Sequence, residues 1–78
     1  MLIRIGYGNY VSDVHVLDIL KAEGAPVRRT RTEARDRGQL IDARSGHKTR
    51  SVIVAVTGQV TLCAIAPDTL AERFNGEK

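Results

Sequence analysis

The stretch Arg50–Ile65, RSVIVAVTGQVTLCAI, decides the fold of this chain. Two apolar runs rich in β-branched residues, Arg50–Val56 and Val60–Ile65, flank a turn at 57–59, and such runs around a glycine-containing turn predict a β-hairpin. No apolar run is longer than five residues, as in Val52–Val56, whereas a membrane-spanning helix needs about 20. The hairpin therefore belongs to a folded core, and we expect no contact with a membrane.

Upstream of the hairpin, the chain predicts a helix with clear start and stop signals. The segment Ala25–Arg37 begins with Pro26, which suits a first helical turn, and Gly38 beyond it suits the left-handed residue that follows a helix. The apolar residues of this helix are few, chiefly Val27 and Ala34. We therefore expect most of the helix surface to face a polar environment.

Short strands and a second helix complete the predicted fold. We expect strands at Leu2–Ile5, at Val14–Leu20 and at Leu40–Ala43, and a C-terminal helix over Asp68–Phe74. Because Val14–Leu20 carries apolar residues on both faces, we expect it to lie in the centre of a sheet. About five short strands with a central helix and a short C-terminal helix predict one α+β domain over residues 1–78.

The chain is small for a domain that is stable by itself. A chain of 78 residues hides only about 60% of the surface of its unfolded state, and such domains often rely on a staple or a partner. Cys63 cannot form an intrachain disulfide, and with His15 and His47 it offers too few ligands for structural zinc. We therefore expect no metal and no other cofactor, and oligomerisation is the remaining support.

Basic residues are concentrated in one segment, Arg28–Arg50. This segment contains eight basic and three acidic residues, a formal charge of +5, whereas the rest of the chain has four basic and six acidic residues, a charge of −2. Such a concentration is typical of a surface that binds a polyanion. A solvated charged helix is the alternative that charge alone leaves open.

No catalytic pattern accompanies these charges. Cys63 stands in a predicted strand, where a thiol is usually an inert small hydrophobic group. A lone histidine such as His15 is more often packed or exposed than catalytic. His47 lies in a glycine-containing loop with Lys48 and Arg50, which suits anion contact better than proton transfer. We therefore expect neither an enzyme activity nor a small-molecule substrate.

A series of motifs runs along the chain. The motifs are IGYGNYVS at Ile5–Ser12, APVRR at Ala25–Arg29, ARDRGQLIDA at Ala34–Ala43, GHKTRSV at Gly46–Val52 and APDTLAER at Ala66–Arg73. In this order and at this spacing they resemble the RemA family, and the resemblance covers nearly the whole chain.

The resemblance implies a bacterial regulator of extracellular-matrix and biofilm genes that binds double-stranded DNA without enzymatic activity. It also implies a fold similar to LytTR-type DNA-binding domains and assembly into a ring with DNA outside it. Family members generally carry arginines, implicated in DNA contact, at the positions matching His15, His47 and Lys48. Two of these positions are histidine here, and histidine is mostly neutral at neutral pH because its ordinary pKa is about 6.5.

We therefore expect a ring-forming, DNA-binding regulator that contacts backbone phosphates. The main expected contacts are Arg28, Arg29, His47, Lys48 and Arg50, and the secondary ones are His15 and Arg31. Phosphate contacts do not read bases, so specificity would come from DNA shape or bending. Because the N-terminus lacks a signal-peptide pattern, we expect a cytoplasmic protein associated with the nucleoid.

Two alternatives to this function remain open. The first is a ring-forming structural or interaction protein that has lost strong DNA binding. The second is an RNA-binding module, which is disfavoured because no aromatic residue for base stacking stands in the basic segment.

Overall fold

The computed structural model describes residues 1–76. Within this range, the apolar runs and glycine turns of the sequence produce six strands, one 3-10 turn and two α-helices. In chain order, the elements are β1 (Leu2–Gly6), β2 (Asn9–Ser12), a 3-10 turn (Asp13–His15), β3 (Val16–Lys21), α1 (Ala25–Asp36), β4 (Leu40–Asp42), β5 (Ser51–Ala55), β6 (Val60–Cys63) and α2 (Pro67–Gly76). None of the helices within these residues is long and apolar enough to cross a membrane.

Four of the strands form the main sheet, in the order β3-β5-β6-β4. β5 is antiparallel to both β3 and β6, whereas β4 pairs with β6 in parallel. The predicted hairpin is confirmed as β5 and β6, with strands shorter than the apolar runs. β1 and β2 form a separate antiparallel hairpin, so the domain has one strand more than we predicted.

The main sheet is covered on both faces, which gives two core clusters. The cluster beneath α1 comprises Val27, Ala34, Val52, Val60 and Leu62. The cluster on the opposite face lies beneath the β1–β2 hairpin and α2, and comprises Ile5, Ala43, Ile53, Cys63 and Leu70. Neighbouring residues of β5 belong to different clusters because successive side chains of a strand point to opposite faces. The predicted α+β class is thus confirmed as a layered domain.

Both predicted helices are confirmed, with small changes at their ends. α1 ends one residue before the predicted Arg37, which is its C-terminal cap, and Gly38 has the expected left-handed backbone with φ 70°. The second helix begins at Pro67 and extends to Gly76, beyond the predicted Phe74.

The prediction of a central strand over Val14–Leu20 is wrong. Val14 lies in the 3-10 turn and is 72% exposed, and β3, which starts only at Val16, is an edge strand of the sheet. A β-bulge between Val16 and Asp18 leaves Leu17 without a partner on β5, and its side chain is 68% exposed. β3 does carry apolar residues on both faces, since Val16 and Ile19 pack against one cluster and Leu20 packs against the other, but the bulge turns Leu17 out of this pattern.

The turn between β1 and β2 depends on close packing at Gly6. The backbone of Gly6 has φ 98°, and a Cβ atom there would lie 3.1 Å from Cδ1 of Ile65. Any side chain at this position would therefore be strained and would also push against the second core cluster. This packing holds the following residue, Tyr7, at the surface beside the sheet.

Adjacent positions of β1 provide a matched test of the packing. Ile3 is 1% exposed and Leu2 is 67% exposed. We expect Ile3→Ala to lower the free energy of unfolding by about 2–5 kcal/mol because it leaves a cavity, and Leu2→Ala to change it by less than about 0.5 kcal/mol. Urea denaturation at one fixed protein concentration measures both values. Equal losses from the two substitutions would contradict the assignment of β1 faces.

Candidate nucleic-acid interface

The loop between β4 and β5 is closed by one arginine. Nε and Nη2 of Arg44 donate to the two carboxylate oxygens of Asp42 at 3.0 and 2.8 Å, and Nη1 donates to Oγ1 of Thr49 at 2.7 Å. Because Asp42 lies before the loop and Thr49 near its end, the Arg44 guanidinium ties the two ends together. We call this arrangement the Arg44 clamp. Arg44 is therefore engaged within the protein.

The clamp also fixes the charge state of its members. Hydrogen bonds from the Arg44 side chain, followed by the bond from its backbone N–H at 2.9 Å, lower the pKa of Asp42 from 3.8 to about 2. The same pairing raises the pKa of Arg44. The bidentate ion pair is of the stronger kind, because both partners stay charged and share two parallel hydrogen bonds.

The tip of the loop presents three predicted contact residues to solvent. Ser45 and Gly46 both have left-handed backbone, with φ 53° and 83°, and the N–H of His47 donates to the Arg44 carbonyl at 3.0 Å. The side chains of His47, Lys48 and Arg50 are exposed, whereas Thr49 between them is buried. The N–H of Arg50 donates to the Cys63 carbonyl at 2.8 Å, which anchors the end of the loop to β6.

An aromatic stack holds His47 from the side of the β1–β2 turn. The rings of Tyr7 and His47 have centroids 4.7 Å apart and planes 14° from parallel. Tyr7 has φ 54°, which is uncommon for a residue other than glycine, and its side chain remains 54% exposed. The basic segment itself contains no aromatic residue, but the fold brings the ring of Tyr7 next to it.

Lys48 and Arg50 share an open groove with a third cation. The groove has a volume of about 580 Å³, and Lys21 lines it together with the acidic Glu23 and Asp68. Sequence reasoning missed Lys21, which lies opposite Ser51 in the register of β3 and β5 and therefore beside Arg50. The groove combines three positive side chains with two carboxylates, so its charge is only moderately positive.

The arginines of α1 divide into two groups. Arg28 and Arg29 are exposed in the first turns of the helix, which begins shortly after Lys21 and therefore at the same end of the sheet as the loop. Arg31 is half-buried and lies with Arg35 in a second groove, which extends along α1 from Arg28. We use the name cationic end for the exposed group formed by Lys21, Arg28, Arg29, His47, Lys48 and Arg50.

His15 lies away from the cationic end. It is exposed in the 3-10 turn before β3, not in a strand as predicted, whereas Lys21 ends that strand. At roughly 3.3 Å per strand residue, the two positions are about 20 Å apart. The structure therefore brings together the loop and the start of α1, but not His15.

No group of three His, Cys, Asp or Glu side chains within residues 1–76 lies close enough to hold a metal ion. Cys63 is fully buried and its thiol donates to the carbonyl of Ile5 at 3.2 Å, which confirms its prediction as a core residue. The described residues define a small α+β protein with a cationic end formed by a clamped loop and a helix start.

Comparison with known proteins identifies the family. The sequence profile of the RemA-like family, described as extracellular matrix regulatory protein A-like, matches residues 2–74. The chain belongs to this family, as its motifs predicted. It is 53% identical to a regulatory protein of Acaryochloris marina, over 99% of this chain and 88% of that protein. It is also 53% identical to regulatory proteins of Cyanothece sp., over 94% and 80%, and of Nostoc punctiforme, over 94% and 83%.

The Arg44 clamp makes a testable prediction about acid titration. The carboxyl group of Asp42, with its pKa lowered to about 2, contributes stability that is present above its ordinary pKa of 3.8 and is lost as pH falls through about 2. We expect Arg44→Gln to return the titration of Asp42 towards its ordinary range, and Lys48→Gln, which removes a loop charge outside the clamp, to leave it low. Carbon-13 NMR of the Asp42 carboxyl group measures this. An unchanged titration in Arg44→Gln would contradict the clamp.

Proposed function

We propose that this protein is a regulator that binds the phosphate backbone of double-stranded DNA through its cationic end. The observation that carries the proposal is the preorganised loop, on which His47, Lys48 and Arg50 are exposed. None of the three makes an ion pair within residues 1–76. Because the Arg44 clamp already orders the loop, binding would cost less conformational entropy than it would for a mobile loop.

The start of α1 extends this surface. Arg28 and Arg29 would contact phosphates beside the loop, and the half-buried Arg31 would contribute less. Contacts of this kind position the protein without reading bases, so specificity would come from the shape or bending of the DNA. We propose that the protein acts in this way without catalysis and without a cofactor.

We further propose that several copies assemble into a ring and bind DNA together. His15 and the cationic end are about 20 Å apart, which corresponds to about six base pairs along one strand. A duplex that passes from one copy to the next could therefore meet both positions. Three further expectations stay predictions. They are biofilm genes as the targets, association with the nucleoid in the cytoplasm, and a fold similar to LytTR-type domains.

Two other functions are each favoured by one specific observation. Glu23 and Asp68 line the same groove as Lys48 and Arg50, which favours a protein-interaction role with weak DNA binding. The stack of Tyr7 on His47 offers an exposed ring beside basic side chains, which favours an unpaired base and hence RNA. Affinities for a mixed-sequence duplex and for single-stranded RNA of equal length separate these functions from the proposed one.

The proposed phosphate contacts predict a characteristic salt dependence. The logarithm of affinity should fall linearly with the logarithm of salt concentration, with a slope of about −0.9 per phosphate neutralised. Lys48→Ala and Arg50→Ala should each make the slope less steep by about 0.9 and weaken binding to all duplex sequences alike. Fluorescence anisotropy with labelled duplexes at several salt concentrations measures both effects.

Arg37→Ala is the matched control for the salt experiment. It removes one exposed positive charge at the other end of α1, where Arg37 Nε donates to Oε1 of Gln39 at 3.0 Å. We expect this variant to keep the natural slope. If Arg37→Ala makes the slope less steep by as much as Lys48→Ala and Arg50→Ala do, the binding depends on net charge rather than on the cationic end.

The two histidines predict that DNA affinity depends on pH. A neighbouring phosphate favours the protonated imidazolium. The affinity gained should be present below the pKa of a free histidine, ordinarily about 6.5, and lost as pH rises through the higher pKa that the histidine has in the complex. We expect tighter binding at about pH 6 than at about pH 8, and a smaller difference in His47→Arg and His15→Arg. Equal affinities at the two pH values in the natural protein would show that neither histidine contacts DNA.

A further inference from the structure

The β3 edge of the main sheet carries an apolar surface next to a carboxylate. Val14, Leu17 and Val56 are 72%, 68% and 58% exposed, and the N–H of Val56 donates to the His15 carbonyl at 2.8 Å, which brings Val56 to the start of β3. Asp18 is exposed beside Leu17. We call the group formed by Val14, Leu17, Asp18 and Val56 the β3 edge.

The β-bulge determines how the β3 edge can be used. Val16 pairs with Ala55 and Asp18 with Val54, so Leu17 is the extra residue of the bulge. A bulge on an edge strand interrupts the regular row of N–H and C=O groups and disfavours the addition of another strand. A partner of this edge is therefore expected to contact the side chains of Leu17 and Asp18 rather than extend the sheet.

The opposite edge of the sheet carries a basic groove. It lies between α1 and β4, has a volume of about 310 Å³, and is lined by Arg28, Arg31, Thr32, Arg35 and Leu40. Within residues 1–76, the only ion pair of these arginines is the exposed contact of Arg35 with Asp36 at 3.7 Å. Such a contact contributes little, so the groove keeps most of its positive charge.

The strand register sets the two surfaces at the same level. Asp18 pairs with Val54, Val54 with Val60, and Val60 with Leu40. These four residues therefore form one row across the sheet, and paired residues point to the same face. A second copy placed beside β4 at this level, in contact through side chains and without strand pairing, would bring its Asp18 next to Leu40, where the arginines of the groove lie.

We infer that the β3 edge of one copy docks into the α1–β4 groove of the next, with Asp18 facing Arg31 and Arg35 and with Leu17 against Leu40. This inference rests on the proposed assembly and identifies its contact. The two surfaces differ and lie on opposite edges of the sheet. Each copy can therefore use its β3 edge for one neighbour and its α1–β4 groove for another. Such a heterologous contact repeats head to tail and closes into a ring when the rotation between copies permits. In this contact Arg31 faces the neighbouring copy, and Arg28, which lines the same groove, lies where the contact meets the cationic end.

Charge reversal on each side, alone and together, tests this contact. Asp18→Arg places a positive charge against the arginines of the groove. Arg31→Asp or Arg35→Asp places a negative charge against Asp18. We expect each single change to raise the dissociation constant between copies about tenfold or more. Asp18→Arg combined with Arg31→Asp or Arg35→Asp should restore assembly, as should a mixture of the oppositely charged single variants. Sedimentation velocity measures the oligomer, and circular dichroism checks the fold of each variant.

The controls separate this inference from the rest of the proposal. Glu72→Arg reverses an exposed acid on α2 and should leave assembly unchanged, whereas Leu17→Glu should weaken it without altering the fold. If the single reversals assemble as the natural protein does, or if no double variant regains assembly, the contact is wrong. A natural protein that sediments as an 8.5 kDa monomer would overturn the assembly itself. Duplex binding through Lys48 and Arg50 is measured independently of both results.

Discussion

Burial of the β5–β6 hairpin on both faces is the constraint on which the rest of the structure depends. Val52 is completely buried against α1, and the next residue, Ile53, is 2% exposed against the opposite layer. A hairpin with this pattern is stable only between two covering layers, because apolar side chains project from both of its faces. α1 supplies one layer, and the β1–β2 hairpin with α2 supplies the other.

This layered arrangement also gathers the positive charges. The chain leaves β3 at the end of the sheet near Lys21 and Ser51, and the first turns of α1 and the β4–β5 loop both bring basic residues to that end. The Arg44 clamp then uses one cation to order the loop and leaves its neighbours exposed. With so few residues, the covering layers do not extend past the sheet, so β3 and β4 remain open at its two edges. The cationic end and the proposed subunit contact thus lie on different parts of the domain and meet at Arg28.

Features with a strong local signal could be predicted from the sequence. The β5–β6 hairpin follows from its apolar runs. α1 follows from Pro26, which fixes φ in the first turn, and from Gly38, which adopts the left-handed backbone past the end of the helix without steric cost. The bulge at Leu17 could not be predicted, because an apolar residue that is re-aimed towards solvent looks the same in sequence as one that faces a core. The central position expected for its strand was wrong because apolar residues on both faces indicate two covering layers and not a neighbouring strand on each edge.

The candidate site was only partly predictable, for a related reason. The exposure of His47, Lys48 and Arg50 follows from a polar glycine-containing loop, which the sequence displays. The stack with Tyr7 joins residues 40 positions apart, and only the fold brings them together. The clamp had a local signal in the spacing of Asp42 and Arg44, since an aspartate often binds the backbone two residues on, but charge counting treated Arg44 as one more free cation.

Contact of DNA with the clamped loop and the start of α1 can be followed by hydrogen exchange of the natural protein, measured by mass spectrometry with and without a saturating mixed-sequence duplex. We expect slower exchange in residues 44–50 and 25–29 when the duplex is bound, and unchanged exchange in α2. Bound duplex that leaves residues 44–50 unprotected, or that protects α2 instead, would contradict this expectation.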